Sequence, residues 1–345
     1  MFASPNITCK DVQLHVCFYF SMNKQPKYDL LIIGSGPIGL ACAIEAKKAG
    51  LKFLILDKGC IVNSIFHYPS NMTFFSTSER LEIGGIPFVS HGVKPTRKEA
   101  LDYYRRAADH YKLNVHTYEK VISLKNEANC YIIKTNKGEY LTRFVILSTG
   151  FYDTINKMNI PGEDLPKVKH YFDEPHPYAY TKTAVIGAGN SGVDTALELY
   201  RVGAEVTMII KYPEVKKSIK YWVKPDIENR IKEGSIKAYF NSIVESISEK
   251  DITIKNLSNG KKTIIPNDFV FAMTGYKPDF ALLSDIGLKI KNDGPVFSKK
   301  THETSRKNIY LAGVICSGLE TDKLFIENSR EHSVIITKDI LKKIK

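Results

Sequence analysis

The sequence predicts an α/β protein of two parallel-sheet domains, the second inserted into a discontinuous first. Three observations predict it. A strand–glycine turn–helix–strand unit occurs twice, with glycine turns beginning at Gly34 and Gly187. Each copy is followed by an apolar strand ending in Thr-Gly, at Thr149-Gly150 and Thr274-Gly275. A third apolar strand, Ile309–Val314, follows both units and precedes a C-terminal helix. At 345 residues the chain suits about two domains of ~100–200 residues each.

The first element is an N-terminal extension, residues 1–26. Val12–Phe20 is apolar but interrupted by His15 and preceded by Lys10 and Asp11. It makes a poor signal peptide and is far short of the ~20 residues of a membrane span. Met22, followed by Asn-Lys-Gln-Pro-Lys, reads as a natural start codon for the strand that follows. Residues 1–21 are therefore expected to be disordered or a start-site artefact.

Tyr28–Ile33 is a continuous apolar run, expected of a parallel strand buried on both faces. Gly34-Ser35-Gly36-Pro37-Ile38-Gly39 follows, then a helix through Ala49 closed by Gly50, and a strand Lys52–Leu56 ending at Asp57. This is the full Rossmann-like dinucleotide fingerprint. Gly34 permits the tight turn, Gly36 lets the backbone approach a pyrophosphate, and Gly39 lets the helix lie close to the sheet. Free amides at the helix N-terminus face the phosphates. Asp57 stands where a carboxylate accepts hydrogen bonds from ribose hydroxyls. The second copy reads Thr183–Ile186, Gly187-Ala188-Gly189-Asn190-Ser191-Gly192, a helix to Val202 and a strand Glu205–Ile210. Lys211 ends that strand in place of an acid. A cation there pairs with a 2′-phosphate, so this unit is expected to take NADPH, with Lys216 and Lys217 nearby to assist.

The two strands ending in Thr-Gly resemble the chain-crossing strands of two-dinucleotide flavoproteins, in which the third strand returns to the FAD domain. The resemblance implies FAD at residues 27–160 and 276–345 and NADPH at the inserted 161–275. Hinges are expected near Gly150–Gly162 and Tyr276–Asp279, where Gly and Pro interrupt the pattern. The flavin-side contacts comprise the first glycine loop, Asp57, Lys58, Val121, Thr149, Gly150, Gly313 and Val314. The NADPH-side contacts comprise the second loop, Lys211, Thr274 and Gly275.

Composition narrows the partners. The net charge is +12, yet only nine of the 49 basic residues are Arg and the Lys are scattered. Nucleic acid is therefore not an expected partner; the field favours anionic cofactors and substrates. The six cysteines, at 9, 17, 42, 60, 130 and 316, contain no Cys-x-x-Cys pair, and the nine histidines show no metal spacing. No metal is expected. A reducing cytoplasm fits the sparse thiols, and a homo-oligomer stays open.

Three further segments narrow the family: Asn63–Phe88 with its Phe74-Phe75-Ser76-Thr77-Ser78 block, Ile160–Pro166, and Leu324–Asn328. With the glycine loops they make residues 27–345 resemble the YpdA-type family of bacillithiol disulfide reductases. The resemblance implies an NADPH-dependent, FAD-containing reductase of thioredoxin-reductase-like fold, acting on the disulfide of a low-molecular-weight thiol. It also implies a cysteine between the proline and the third glycine of the first loop, where this chain has Ile38. In the wider superfamily an acid follows the glycine of the third strand; here it is Val314.

Hydride transfer between the nucleotides needs positioning and dryness more than titrating side chains. The outgoing half is less constrained. Cys42 reads as buried and Cys316 as better placed towards the flavin, and both stand as weak candidates for a thiol that meets the acceptor. Tyr68, Phe74 and Phe75 are candidate walls for the isoalloxazine, with Ser76 and Thr77 offering hydroxyls. Tyr103, Tyr104 and Tyr111 read as packing, and His170 and His176 as surface or hinge residues. The alternatives are a flavin-dependent monooxygenase, whose linker Pro161–Tyr171 resembles but whose Phe-x-Gly-x-x-x-His pattern is not met; a ferredoxin or quinone reductase; and a redox-sensing flavoprotein without turnover.

Overall fold

The computed structural model describes residues 27–127, 129–216, 218–321 and 323–344. The N-terminal extension and Lys217 lie outside these described residues. In chain order the first elements are β1 (Tyr28–Ile33), α1 (Pro37–Lys48), β2 (Phe53–Leu56), the short α2 (Asn63–Phe66), α3 (Arg97–His110), β3 (Val115–His116), β4 (Val121–Glu127), β5 (Cys130–Thr135) and β6 (Glu139–Leu147). Then come β7 (Thr154–Ile155), β8 (Val168–Lys169), β9 (Lys182–Ile186), α4 (Asn190–Arg201), β10 (Glu205–Ile209), α5 (Lys224–Lys232) and β11 (Lys237–Tyr239). The remainder is β12 (Ser242–Ile247), β13 (Asp251–Asn256), β14 (Lys262–Pro266), β15 (Phe269–Ala272), β16 (Tyr276–Lys277), α6 (Phe280–Asp285), β17 (Ile290–Lys291), β18 (Gly294–Pro295), β19 (Ile309–Leu311), α7 (Ile326–Ser329) and α8 (His332–Ile344).

The larger sheet runs β3-β2-β1-β6-β5-β4, with β19 joined to β6. The long β6 serves two partners on one edge: Glu139–Thr142 pairs antiparallel with β5, and Val145–Leu147 pairs parallel with β19. The chain thus returns to its first sheet after leaving it for a second, all-parallel sheet of order β11-β10-β9-β15-β8. An antiparallel β12-β13-β14 sheet packs against that second sheet. Where the chain crosses between the sheets, β7 and β16 pair Ile155 with Tyr276.

Burial explains the continuous apolar strands. On β1, Leu30 and Ile32 face α1, α3 and α8, while Leu31 and Ile33 face a separate cluster with Leu54, Val121 and Ile315. Period-2 geometry sends successive residues to opposite faces, so a doubly covered strand must be apolar throughout. Helix α3 starts with a capping box in which the Thr96 hydroxyl accepts from the Glu99 amide and the Glu99 carboxylate accepts from the Thr96 amide at 2.7 Å. Tyr103 and Tyr104 are buried on it, their hydroxyls donating to the carbonyls of Ile86 and Leu81. The packing expectation for them holds.

Candidate functional site

The two glycine loops repeat each other in detail. Gly34 N–H donates to Leu56 O at 2.8 Å and Gly187 N–H donates to Ile209 O at 2.9 Å. Both residues have φ in the left-handed region, +107° and +109°. A Cβ at either would meet a backbone oxygen 2.5 Å away, that of Ser148 or Met273. A Cβ on Gly39 would lie 1.9 Å from Gly34 O, and one on Gly192 would lie 2.4 Å from Gly187 O. These glycines are sterically demanded by the chain itself. Gly36 and Gly189 differ: each opens α1 or α4 as its N-cap, and a Cβ there would have nothing within 4 Å. They face open space, which is the cradle a pyrophosphate needs at the head of a helix.

Both open faces border the same cleft, of about 1370 Å³. That exceeds the ~300–1,000 Å³ usual for one small ligand and suits two nucleotides. Among the residues singled out from the sequence, Gly34, Gly36, Pro37, Ile38, Asp57, Lys58, Val121, Thr149, Gly150, Gly313 and Val314 line it on the first side. Gly187, Gly189, Asn190, Ser191, Gly192, Lys211, Thr274 and Gly275 line it on the second. Ser35 and Gly39 are buried behind the lining. Ser35 ties the loop to β2, its amide and hydroxyl donating to Asp57 Oδ2 at 2.6 and 2.8 Å. Gly59 N–H donates to Asp57 Oδ1 at 2.9 Å, so both carboxylate oxygens are held from the protein side.

The strand ladder corrects one correspondence. Ile33 pairs with Leu56 and Ile186 with Ile209, so the residue matching Asp57 is Ile210, fully buried, and Lys211 matches Lys58. Strand β10 ends at Ile209, not at Ile210. The second unit still lacks the acid, and Lys211 still reaches the cleft, exposed, one residue later. Lys58 is engaged with Asp153 at 3.0 Å. Lys216 lines the cleft as well.

The aromatic wall is present in part. Tyr68, Phe74, Phe75 and Ser76 line the cleft; Thr77 does not. Phe74 is buried and Phe75 is about half exposed. Ser76 Oγ donates to Glu327 Oε1 at 2.5 Å, fixing α7 to this wall. Sequence reasoning missed four partners here. Tyr152 and Tyr276 join Tyr68 and Tyr171 in an aromatic cluster, with Tyr68–Tyr152 at 4.9 Å and Tyr152–Tyr276 at 4.3 Å. Burial pushes the phenols of Tyr68 and Tyr171 up to about 12. Lys220, buried, bonds Asp194 at 2.7 Å and reaches Thr73 O at 3.3 Å, bridging the two sides of the cleft.

Among the described residues, no cysteine lines the cleft. Cys42 is fully buried on α1 and its pKa is raised strongly by burial, with smaller contributions from Cys316 and Glu45. Cys316 is half-buried in the 3-10 turn Val314–Ser317, and burial pushes its pKa up to about 12. Cys60 lies beside Asn63, raised by burial and by Asp57. None is activated. Position 38, which borders the cleft, carries an apolar side chain packed against Gly313. His170, expected at the surface or hinge, is half-buried and faces Glu163 at 3.7 Å, while His176 is exposed. Sequence spacing also gave no hint of a buried group formed by His302, Cys316 and His332, whose polar atoms lie within 4.8 Å of one another. It is a hydrogen-bonded stack and not a free ligand set, because His332 Nδ1 already accepts the Gly313 amide at 3.1 Å.

Comparison with known proteins agrees with this geometry. Residues 31–313 match the family model described as pyridine nucleotide-disulphide oxidoreductase. The bacilliredoxin reductase Bdr of Bacillus subtilis (strain 168) is 44% identical over 91% of this chain and 97% of its own. The solved bacillithiol disulfide reductase Bdr (YpdA) from Staphylococcus aureus is 41% identical with a TM-score of 0.90, covering 93% of this chain and all of its own (100%). That from Bacillus cereus is 40% identical with a TM-score of 0.89, covering 92% and 99%. The chain is an oxidoreductase that belongs to the pyridine nucleotide-disulphide oxidoreductases, within the Bdr (YpdA) family.

Proposed function

We propose that this chain binds FAD at the Gly36 loop and NADPH at the Gly189 loop, and reduces the disulfide of a low-molecular-weight thiol such as bacillithiol disulfide. The observation that carries the reading is that both helix N-termini open onto one cleft. The family supplies the flavin and the nicotinamide nucleotide as classes; the finer assignment rests on residues of this chain. Asp57, locked by Ser35 and Gly59, keeps acceptor capacity for ribose hydroxyls on the first side. Ile210 removes that capacity on the second, and Lys211 supplies a cation for a 2′-phosphate. Bound FAD would take a hydride from NADPH and pass the electron pair to the disulfide, which with two protons leaves as two thiols.

The domain reading follows the same division. The FAD domain takes 27–160 and 276–345, supported by the β19–β6 pairing; the NADPH domain takes 161–275. Among the described residues no helix is long and apolar enough to cross a membrane. A cytoplasmic setting is proposed, because the six cysteines are sparse for a chain of this length and show no disulfide-scaffold pattern.

The chain's own residues bind, orient and exclude water. Phe74 and Tyr68 cover the flavin side, and the buried, protonated cysteines take no part. NADPH oxidation by the FAD-loaded protein, assayed with a panel of disulfides, ferredoxin and quinones, tests the reading. Disulfide-dependent turnover is expected, and Cys42→Ser and Cys316→Ser are expected to keep it within about threefold, since a thiol held this far from ionisation is no nucleophile at neutral pH. Loss of the disulfide rate in Cys42→Ser, with flavin reduction intact, overturns the thiol-free route. Turnover with ferredoxin or quinone alone overturns the acceptor class.

A further inference from the structure

Gly313 stands in the cleft wall, two residues after the end of β19. Its backbone, at φ +85° and ψ −159°, sits in a region open essentially to glycine alone. Both polar groups of this residue are spent on the protein side. Its carbonyl accepts from Cys316 N–H at 3.1 Å, which forms the 3-10 turn. Its amide donates to Nδ1 of His332, the first residue of α8, at 3.1 Å. A backbone amide has only a proton to give, so Nδ1 must present its lone pair and the ring proton must sit on Nε2.

The ring is held for this task. His332 is 8% exposed and packs against the ring of His302, tilted at 37° with centroids 4.0 Å apart. His302, 6% exposed, stacks in turn on Phe297 at 5.5 Å and places its Nδ1 3.9 Å from Cys316 Sγ. Its backbone is left-handed at φ +62°, uncommon outside glycine, and is pinned at both ends: His302 N–H donates to Ser298 O at 2.7 Å, and its carbonyl accepts from Leu311 N–H at 3.0 Å. The titratable groups facing His332 from neighbouring elements are His302 and Cys316. Neither offers a negative charge that would favour an imidazolium. On the cleft side, Ile38 packs against Gly313, so the wall is pressed from one side and tethered from the other.

We propose that His332 is a positioning residue: as the neutral Nε2–H tautomer it holds the Gly313 amide and thereby fixes the wall at Gly313–Val314 against which the flavin binds. The reaction does not use its proton. This rests on the proposal that FAD occupies the cleft beside Gly313.

The first test reads the imidazole nitrogens of the wild-type protein by ¹⁵N–¹H correlation, with and without FAD, between pH 5.5 and 8. An unprotonated Nδ1 and a protonated Nε2 are expected for His332 in both states; an Nδ1–H signal, or an imidazolium at pH 6, overturns the proposal. The second compares two variants by FAD titration and flavin midpoint potential. His332→Asn keeps an acceptor oxygen near the Nδ1 position and is expected to bind FAD within about threefold of wild type. His332→Leu keeps the bulk without the acceptor and is expected to lose at least tenfold in FAD affinity, with a shifted potential. Equal affinity and potential in His332→Leu overturn the proposal. The two readings fail separately. A wild-type protein that binds no flavin sinks the proposed function, whereas one that binds flavin indifferently to residue 332 sinks only this inference. If His332→Leu does not fold, the tautomer measurement still decides.

Discussion

Replacing Gly36 by alanine should weaken flavin binding at least about tenfold while leaving the protein about as stable as before, and replacing Gly39 should destabilise the protein itself. Gly36 has φ −66° and ψ 176°, a conformation alanine adopts without strain, and its added Cβ would meet nothing within 4 Å. The reduced freedom of the unfolded chain is worth about 0.4–1 kcal/mol, which offsets a similar loss from alanine as a poorer N-cap of α1. Loaded protein is another matter, because the methyl occupies the space through which the pyrophosphate approaches the α1 amides. A loss of at least about 1.4 kcal/mol, tenfold in affinity, is the expected minimum. At Gly39 the Cβ would stand 1.9 Å from Gly34 O and 2.8 Å from Ser148 Oγ, so helix and loop must move apart. Overpacking of this kind costs about 1–3 kcal/mol, before any effect on ligand. The assay is a thermal melt of flavin-stripped protein beside an FAD titration. The Gly36→Ala apoprotein should melt within about 2 °C of wild type or above it, and Gly39→Ala several degrees below. Undiminished FAD affinity in Gly36→Ala, or a destabilised Gly36→Ala apoprotein, would refute the division between structural and ligand-facing glycines.

Two further outcomes follow. Lys211→Glu should raise the KM for NADPH by about tenfold or more, consistent with loss of a charge-assisted contact worth roughly 1.5–3 kcal/mol, and leave that for NADH within about threefold; steady-state kinetics with both nucleotides checks it, and an unchanged NADPH KM removes Lys211 from the site. Acid stability should depend on His332, whose pKa is pushed down from 6.5 to about 4 by burial and then by His302. The unfolded chain takes up that proton below about pH 6.5 and the folded chain only below about pH 4, so stability falls as pH drops through this window. Denaturant titrations at pH 7 and 4.5 should show an acid loss about 2–3 kcal/mol smaller in His332→Asn than in wild type, and an equal loss in the two proteins would show that residue 332 does not carry it.

How legible the fold was depended on how local its determinants are. The glycine turns were readable because a tight turn, a helix packed on a strand end and a free helix N-terminus each make demands within six residues. The apolar strands were readable because burial on both faces removes alternation. Strand ends were less so. Whether β10 stops at Ile209 or Ile210 is decided by Ile186 across the ladder, and a shift of one residue changed which side chain matches Asp57. The tyrosine cluster at the crossover joins Tyr68, Tyr152, Tyr171 and Tyr276, residues with no common spacing, and only the β7–β16 pairing brings the last of them in. His302, Cys316 and His332 are likewise 14 to 30 residues apart on a loop, a turn and a helix. Nothing in the sequence between them announces that they meet.

Position 38 shows why the cysteine question is one of place and not of number. It borders the cleft, and its isoleucine closes against Gly313, where a Cβ would come within 3.3 Å of it. Cys42 is four residues along α1, about 6 Å deeper at the helical rise of 1.5 Å per residue. At that depth it is fully buried, with a thiol that resists ionisation. A mixed disulfide needs an exposed thiolate beside the flavin, and neither exposure nor charge is recoverable at Cys42 without unpacking α1 from the sheet. Cys316 sits near the wall yet turns toward His302, behind Gly313. Among the described residues no cysteine lines the cleft, so under the proposed function the acceptor disulfide would have to reach the cofactor through the cleft itself. On that route, selectivity would rest on the residues that shape the cleft, Tyr68, Phe74, Tyr152 and Tyr276 among them, and not on a nucleophile.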